Sequence, residues 1–392
     1  MLFSLALILT IGFALSGLLN RLKLPGILGM LATGIVLGPF ALNLISGEIL
    51  DISAELRQIA LIVILVRAGL SLDINDLKKV GRPAILMCFV PATFELVAIT
   101  ILAPILFNIS YIEAAIMGTV LAAVSPAVIV PRMLKVMEGG YGKKKSIPQL
   151  ILAGASVDDV YVIVLFTAFM GMYQGSGFSP LSLAAVPVSI VVGLAVGILV
   201  GMMLTWLFKK VHIRDTIKIL IILSFAFFLV TMESVLKPYV PMSGLLGVMA
   251  LGATILKQYT LLAKRLSGKF SKIWVGAEML LFVLVGAAVD IRFVAGAGFM
   301  AVALILGALV FRIGGVYVSL LKTNLTKEEK LFCAMAYLPK ATVQAAIGSI
   351  PLTSGVTSGN TILTVAVLAI LITAPMGAIA VDFSYKRLLT KD

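Results

Sequence analysis

One histidine, two cysteines, two tryptophans and 18 acidic residues are all that 392 positions hold of these types. Each scarcity removes a class of chemistry. The lone histidine, His212, lies in the basic link from Lys209 to Asp215. It offers no partner for histidine-assisted nucleophilic catalysis and reads as a solvated loop residue. The cysteines, Cys88 and Cys333, fall inside apolar runs. They indicate neither a disulfide framework nor a metal site, and each reads as a small buried hydrophobe. Charged residues make up 12% of the chain, about half the share in soluble domains. Apolar residues fill 61% of it and the mean hydropathy is +1.14. That composition excludes an ordinary soluble fold and describes a polytopic membrane protein.

Spans of about 20 residues cross a bilayer as helices, and about thirteen can be marked. They are 2–19, 27–43, 56–72, 83–107, 111–131, 148–173, 181–208, 216–236, 243–256, 273–290, 293–321, 329–351 and 360–385. The first lacks the basic start and small-residue cleavage site of a removable signal, so it is expected to remain as a helix. The net charge of +13 does not point to nucleic acid, because its distribution is topological. Of 31 Lys and Arg, 25 lie in or beside the links after odd-numbered spans or in the tail. The positive-inside rule then puts the N-terminus outside and the C-terminus in the cytoplasm, with Trp206 and Trp274 expected as interfacial anchors.

An internal repeat emerges along the chain. Residues Gly26 to Gly34 match Gly244 to Gly252, an offset of 218, and Gly69-Leu-Ser-Leu-Asp73-Ile74 matches Gly286-Ala-Ala-Val-Asp290-Ile291, an offset of 217. The offset equals seven spans, an odd number, so the second copy is inverted. This predicts an inverted repeat within one membrane unit: 1–180 (spans one to six), a linker helix at 181–215, and 216–392 (spans eight to thirteen). Secondary transporters recurrently use this build, with the site at the repeat interface near mid-membrane. Two breaks are expected at matched places. Ser125-Pro126 with Pro131 interrupts span five, and Pro339-Lys340-Ala-Thr342-Val-Gln344 interrupts span twelve, since proline removes a helix hydrogen bond and disfavours helix before it. Crossed broken helices would expose carbonyls suited to cations.

Charge inside apolar runs is costly and therefore informative. Asp158 and Asp159 sit together in span six, Lys340 lies at the second break, and Glu95 and Arg312 occupy repeat-equivalent positions with opposite sign. Glu95 and Arg312 are expected to pair. Lys340 is expected to pair with Asp158, leaving Asp159 as the site for which Na⁺ or Li⁺ competes with a proton. Such competition with alternating access suffices for antiport. Ser125, Thr342 and Gln344 are candidates for further ligands or for satisfying broken backbone. A Na⁺-coupled symporter of organic anions, a K⁺/H⁺ antiporter and a passive channel remain open. An intramembrane aspartyl protease does not fit, because adjacent aspartates cannot face one another.

At these residues the sequence resembles the monovalent cation/proton antiporters, and within them the NHA-type branch of sodium/hydrogen exchanger-like proteins. The matches are Val-Ser125-Pro126-Ala-Val-Ile-Val-Pro131, Gly-Ala-Ser-Val-Asp158-Asp159, Leu-Pro339-Lys340-Ala-Thr342-Val-Gln344-Ala-Ala-Ile-Gly348 and Leu-Val-Arg67-Ala-Gly69-Leu. The resemblance implies a thirteen-helix antiporter fold and a mobile core against a dimerisation domain, hence a homodimer. It implies exchange of Na⁺ or Li⁺ for H⁺ without an organic cofactor. It assigns ion binding to Asp159, pairing with Lys340 to Asp158, and a structural ion pair to Glu95 and Arg312; Arg67 receives no role. Membrane lipid is the expected surroundings. Without the long extensions of animal members, the chain is expected in a prokaryotic inner membrane. The stripe Gly193-x3-Gly197-x3-Gly201 reads as helix packing within the chain.

Overall fold

A computed structural model describes residues 1–22, 24–71, 81–175, 180–236, 242–289 and 291–391. These are helical apart from short links and one antiparallel bridge between Tyr141 and Lys391. The helices are α1 (Leu2–Arg21), α2 (Ile27–Leu37), α3 (Gly47–Asp51), α4 (Ser53–Ser71), α5 (Arg82–Met87), α6 (Val90–Phe107), α7 (Tyr111–Ala122), α8 (Pro126–Glu138) and α9 (Ile147–Gln174). Then come α10 (Pro180–Lys210), α11 (Asp215–Leu236), α12 (Gly244–Gln258), α13 (Thr260–Ala287), α14 (Ile291–Ser319), α15 (Lys327–Ala336), α16 (Thr342–Ile347), α17 (Ile350–Thr353) and α18 (Gly359–Leu388). Among the described residues, eight helices are long and apolar enough to cross a membrane, and α2, α7 and α12 are shorter apolar helices.

Several spans differ from their sequence-based limits for local reasons. The run 27–43 is helical only to Leu37, because Pro39 follows the extended Gly38. The run 83–107 is interrupted at Cys88 and Phe89, just before Pro91, whose ring disfavours helix in front of it. Pro131 does not belong to a break and lies inside α8. The run expected at 273 starts at Thr260 instead. Its first turns bury Leu262, Leu266 and Phe270 and expose Lys264, Arg265 and Lys272, an amphipathic period of about 3.6 residues. Trp274 lies in the middle of this helix, 5% exposed.

The chain forms two compact units. One comprises 55–72 and 163–278, the other 1–54, 73–162 and 279–392. The units cut across the repeat ranges read from the sequence, yet each contains the same repeat contact. In the larger unit, Gly34 of α2 lies against α13: a Cβ there would strike the Val283 carbonyl and come within 2.8 Å of the Ala287 nitrogen. In the smaller, Gly252 of α12 lies against α4, where a Cβ would approach Val66 O and Leu70 N to 2.9 Å. Gly34 and Gly252 are repeat equivalents, and so are their counterparts Gly286 and Gly69, which are equally closely packed. Each copy thus lends its glycine helix to the other. Asp73, Ile74 and Asp290, the remaining matched residues, fall outside the described residues. The stripe at Gly193, Gly197 and Gly201 packs within the smaller unit against Ser243, Gly247 and Thr254 of the segment ending in α12.

Both expected breaks are present. Between α7 and α8 the backbone is extended at Ala123 and Ser125, and between α15 and α16 residues 337–341 are not helical. The unwound segments touch: Ser125 N donates to Pro339 O at 2.8 Å. This is the crossing of two broken helices. Each first half-helix starts in a capping box, Ser110 with Glu113 for α7 and Thr326 with Glu329 for α15, so the free N–H groups of both entrances are met. The glutamates also reach across the repeat. Glu113 Oε1 accepts from Ser358 N at 3.0 Å, just before α18, and Glu329 Oε2 accepts from Lys145 Nζ at 2.8 Å, just before α9.

Candidate ion-binding site

A helix that ends inside a membrane leaves its last carbonyls without partners and a partial negative charge at that end. Here two helices, α7 and α15, end at the crossing. One guanidinium answers both. Arg312, fully buried on α14, donates from Nε to Tyr337 O at 2.5 Å and from Nη1 to Ala122 O. Ala122 is the last residue of α7, and Tyr337 caps α15. The Tyr337 ring also lies beneath the guanidinium, 5.5 Å from its centroid to the central carbon. Gln344 Nε2 completes the capping of α7, donating to Leu121 O at 3.3 Å and Ala123 O at 2.9 Å.

The remaining donors of Arg312 hold carboxylates. Nη1 is 2.7 Å from Glu95 Oε2 and Nη2 is 3.2 Å from Asp158 Oδ2. The Glu95–Arg312 pair is thus in place. The expected Lys340–Asp158 pair is not: Lys340 Nζ lies 2.5 Å from Glu95 Oε2, and Asp158 is held by Arg312 and by Val124 N, which donates to Oδ2 at 2.8 Å. Charge matching alone points Lys340 to an aspartate as counter-charge, whereas one oxygen of Glu95 accommodates both cations. Position at the break explains the geometry. Lys340 N is anchored on Thr373 Oγ1 of α18 at 2.9 Å, which sets where its side chain starts.

Five oxygens of the residues singled out by the sequence have no hydrogen-bond partner among the described residues although their atoms are buried: Ser125 Oγ, Asp158 Oδ1, Asp159 Oδ1, Thr342 Oγ1 and Gln344 Oε1. Buried polar atoms normally carry a partner. These come from the three segments that the sequence singled out, namely the first break, α9 and the second break. Oxygen-only donors of this kind suit a hard cation such as Na⁺ or Li⁺. Pro126, the remaining candidate, starts α8 and contributes no donor, which suits a first helical position. Cys88 and Cys333 are buried free thiols.

Sequence reasoning overlooked Tyr337, Thr373 and the two capping glutamates. Only the last had a readable signal, Ser-x-x-Glu and Thr-x-x-Glu before apolar runs. Arg67 has Glu278, on α13 within the smaller unit, as a charged partner.

Crossed broken helices carrying buried charge define a secondary transporter of the sodium/proton antiporter fold. The fold is that of the sodium proton antiporter MjNhaP1 from Methanocaldococcus jannaschii, whose structure at pH 8 matches with a TM-score of 0.83 over 98% of this chain and 97% of that one, at 20% identity. The family model for the transmembrane sodium/hydrogen exchanger matches residues 5–383, and the chain belongs to that family. It is 34% identical over 381 residues to sodium/hydrogen exchanger 9B2 of Mus musculus, covering 94% of this chain and 69% of that protein. It is 30% identical over 389 residues to sodium/hydrogen exchanger 9B1 of Homo sapiens, covering 94% and 73%. The NHA-type resemblance thus extends along nearly the whole chain. The protein is a multi-pass membrane transporter and not an enzyme.

Proposed function

We propose that the protein exchanges Na⁺ or Li⁺ for H⁺ by alternating access, with Asp159 as the shared site and Asp158 as its fixed neighbour. Five buried oxygens without a partner among the described residues, two of them on Asp158 and Asp159 themselves, carry this reading. Charge balance supports it. Glu95, Asp158 and Asp159 set three carboxylates against Arg312 and Lys340, one negative charge in excess. One Na⁺, Li⁺ or proton neutralises the cluster, whereas the bare cluster would cross the membrane as a charge, at a cost of several kcal/mol or more. The carrier therefore moves loaded with one or the other. We take the repeats as 1–180 and 216–392 around a linker helix at 181–215, the N-terminus outside, the C-terminus in the cytoplasm of a prokaryotic cell, and the working form as a homodimer in lipid.

Proton release from proteoliposomes holding an imposed pH gradient tests the exchange. Na⁺ or Li⁺ is expected to elicit it and K⁺ is not; a K⁺ response alone would establish the K⁺/H⁺ alternative, and silence to all three would remove antiport. Lys340 allows a second prediction. Arg312 remains on Glu95 without it, so Lys340→Gln is expected to fold. Losing a nearby positive charge makes protons hold the aspartates more tightly. The pH dependence of exchange in this variant should accordingly move to higher pH, and an unmoved profile would exclude Lys340 from the site's electrostatics.

A further inference from the structure

Three successive carbonyls at the end of α7, those of Leu121, Ala122 and Ala123, are met by side chains from elsewhere in the chain. Arg312 takes the middle one, and Gln344 of α16 takes its two neighbours, at 3.3 and 2.9 Å. Both acceptors of Gln344 are carbonyl oxygens, so the amide end that faces them is the nitrogen with its two N–H groups, and the carboxamide has one permitted orientation. Gln344 is fully buried, and its Oε1 has no partner among the described residues.

The Ala123 carbonyl and the Val124 N–H are the two ends of one peptide unit. In a trans peptide they point in opposite directions, and here each carries one bond. The carbonyl accepts from Gln344 Nε2 at 2.9 Å, and the N–H donates to Asp158 Oδ2 at 2.8 Å. Gln344 and Asp158 therefore grip a single plane from opposite sides. No helical ladder fixes that plane, because Ala123 is extended, with φ −72° and ψ 143°, and Ser125 follows with φ −90° and ψ 109°. Its tilt is set by what holds its two ends, and hydrogen bonds in such a chain strengthen one another. Without Gln344 the plane is free to turn, which takes its N–H out of line with Asp158. The other hold on Asp158 Oδ2, from Arg312 Nη2, is longer at 3.2 Å.

We propose that Gln344 is a positioning residue of the transport site: by fixing the Ala123–Val124 peptide it holds Asp158 in place beside Asp159 and so sets how tightly the site binds Na⁺ or Li⁺. This rests on the exchange reading above. Methionine, of similar length, would fill the space and hold neither carbonyl. Asparagine, one methylene shorter, would keep the carboxamide and fall short of spanning both.

In proteoliposomes at one fixed pH, Gln344→Met is expected to raise the half-saturating concentration of Na⁺ about tenfold, the weight of one hydrogen bond. That of Li⁺ should rise by the same factor, with the maximal rate unchanged. An unchanged half-saturation, or a lower maximal rate alone, would overturn the proposal. So would unequal factors for the two cations, because an Oε1 that touched the ion itself would discriminate by ionic size. Should Gln344→Met not fold, Gln344→Asn is expected to raise both half-saturations by a common factor; no rise overturns the proposal equally. Absence of cation-driven proton release from the unaltered protein would instead count against the exchange reading.

Discussion

Asp159→Asn is expected to lower Na⁺- or Li⁺-driven proton release in proteoliposomes to the level of empty vesicles, with no loss of melting temperature. Asparagine keeps the size and one acceptor oxygen of aspartate, so packing of α9 is preserved. It neither takes up a proton nor offsets a cation. With it, the cluster of Glu95, Asp158, Arg312 and Lys340 is balanced whether or not an ion is present, and no competition is left to couple the two flows. Removing a partly buried carboxylate that forms no ion pair among the described residues also lifts a desolvation cost, which is why stability should hold or rise. Exchange at the unaltered rate in this variant would remove Asp159 from the mechanism.

Arg312→Ala is expected to prevent accumulation of folded protein. Breaking a buried ion pair from one side costs about 3–5 kcal/mol, and this arginine serves two carboxylates together with the carbonyls of Ala122 and Tyr337. Each carbonyl left dry adds about 1–3 kcal/mol. The total rivals the whole stability of a typical domain, about 5–15 kcal/mol. Arg312→Lys separates charge from shape. An ammonium keeps the positive charge but lacks the planar fork that reaches four acceptors at once. It is expected to yield a folded protein of lower melting temperature and at least tenfold slower exchange; thermal unfolding and the proteoliposome assay, run side by side, decide both points. An Arg312→Ala protein as stable as the parent would show that the helix ends are satisfied in another way.

Much of this arrangement was legible because proline and charge are conspicuous in an apolar sequence. Ser125-Pro126 and Pro339 marked the breaks, and opposite charges at one repeat offset marked Glu95 and Arg312 as partners. Pairing in space was less legible. Lys340 found Glu95 because its backbone is tied to Thr373, a contact between residues 33 apart that no local pattern announces. Tyr337 carried no signal at all, since one aromatic residue in an apolar run has no period. The start of α13 was a different failure. Its basic residues suggested a link, but the apolar spacing of Leu262, Leu266 and Phe270 had the helical period and outweighed them.

The glutamates that open α7 and α15 bear on how the molecule must be assembled. Glu113 is fastened to the start of α18 and Glu329 to the start of α9, while Gly34 nests on α13 and Gly252 on α4. Every one of these attachments joins a residue of one half of the sequence to a residue of the other. None depends on the peptide link near His212 that makes the halves a single polypeptide. Covalent continuity is thus expected to be dispensable to the architecture. Two separately translated fragments, cut within residues 211–214 and produced in the same cell, should find one another in the bilayer and copurify as a working transporter, whereas either fragment alone should be degraded.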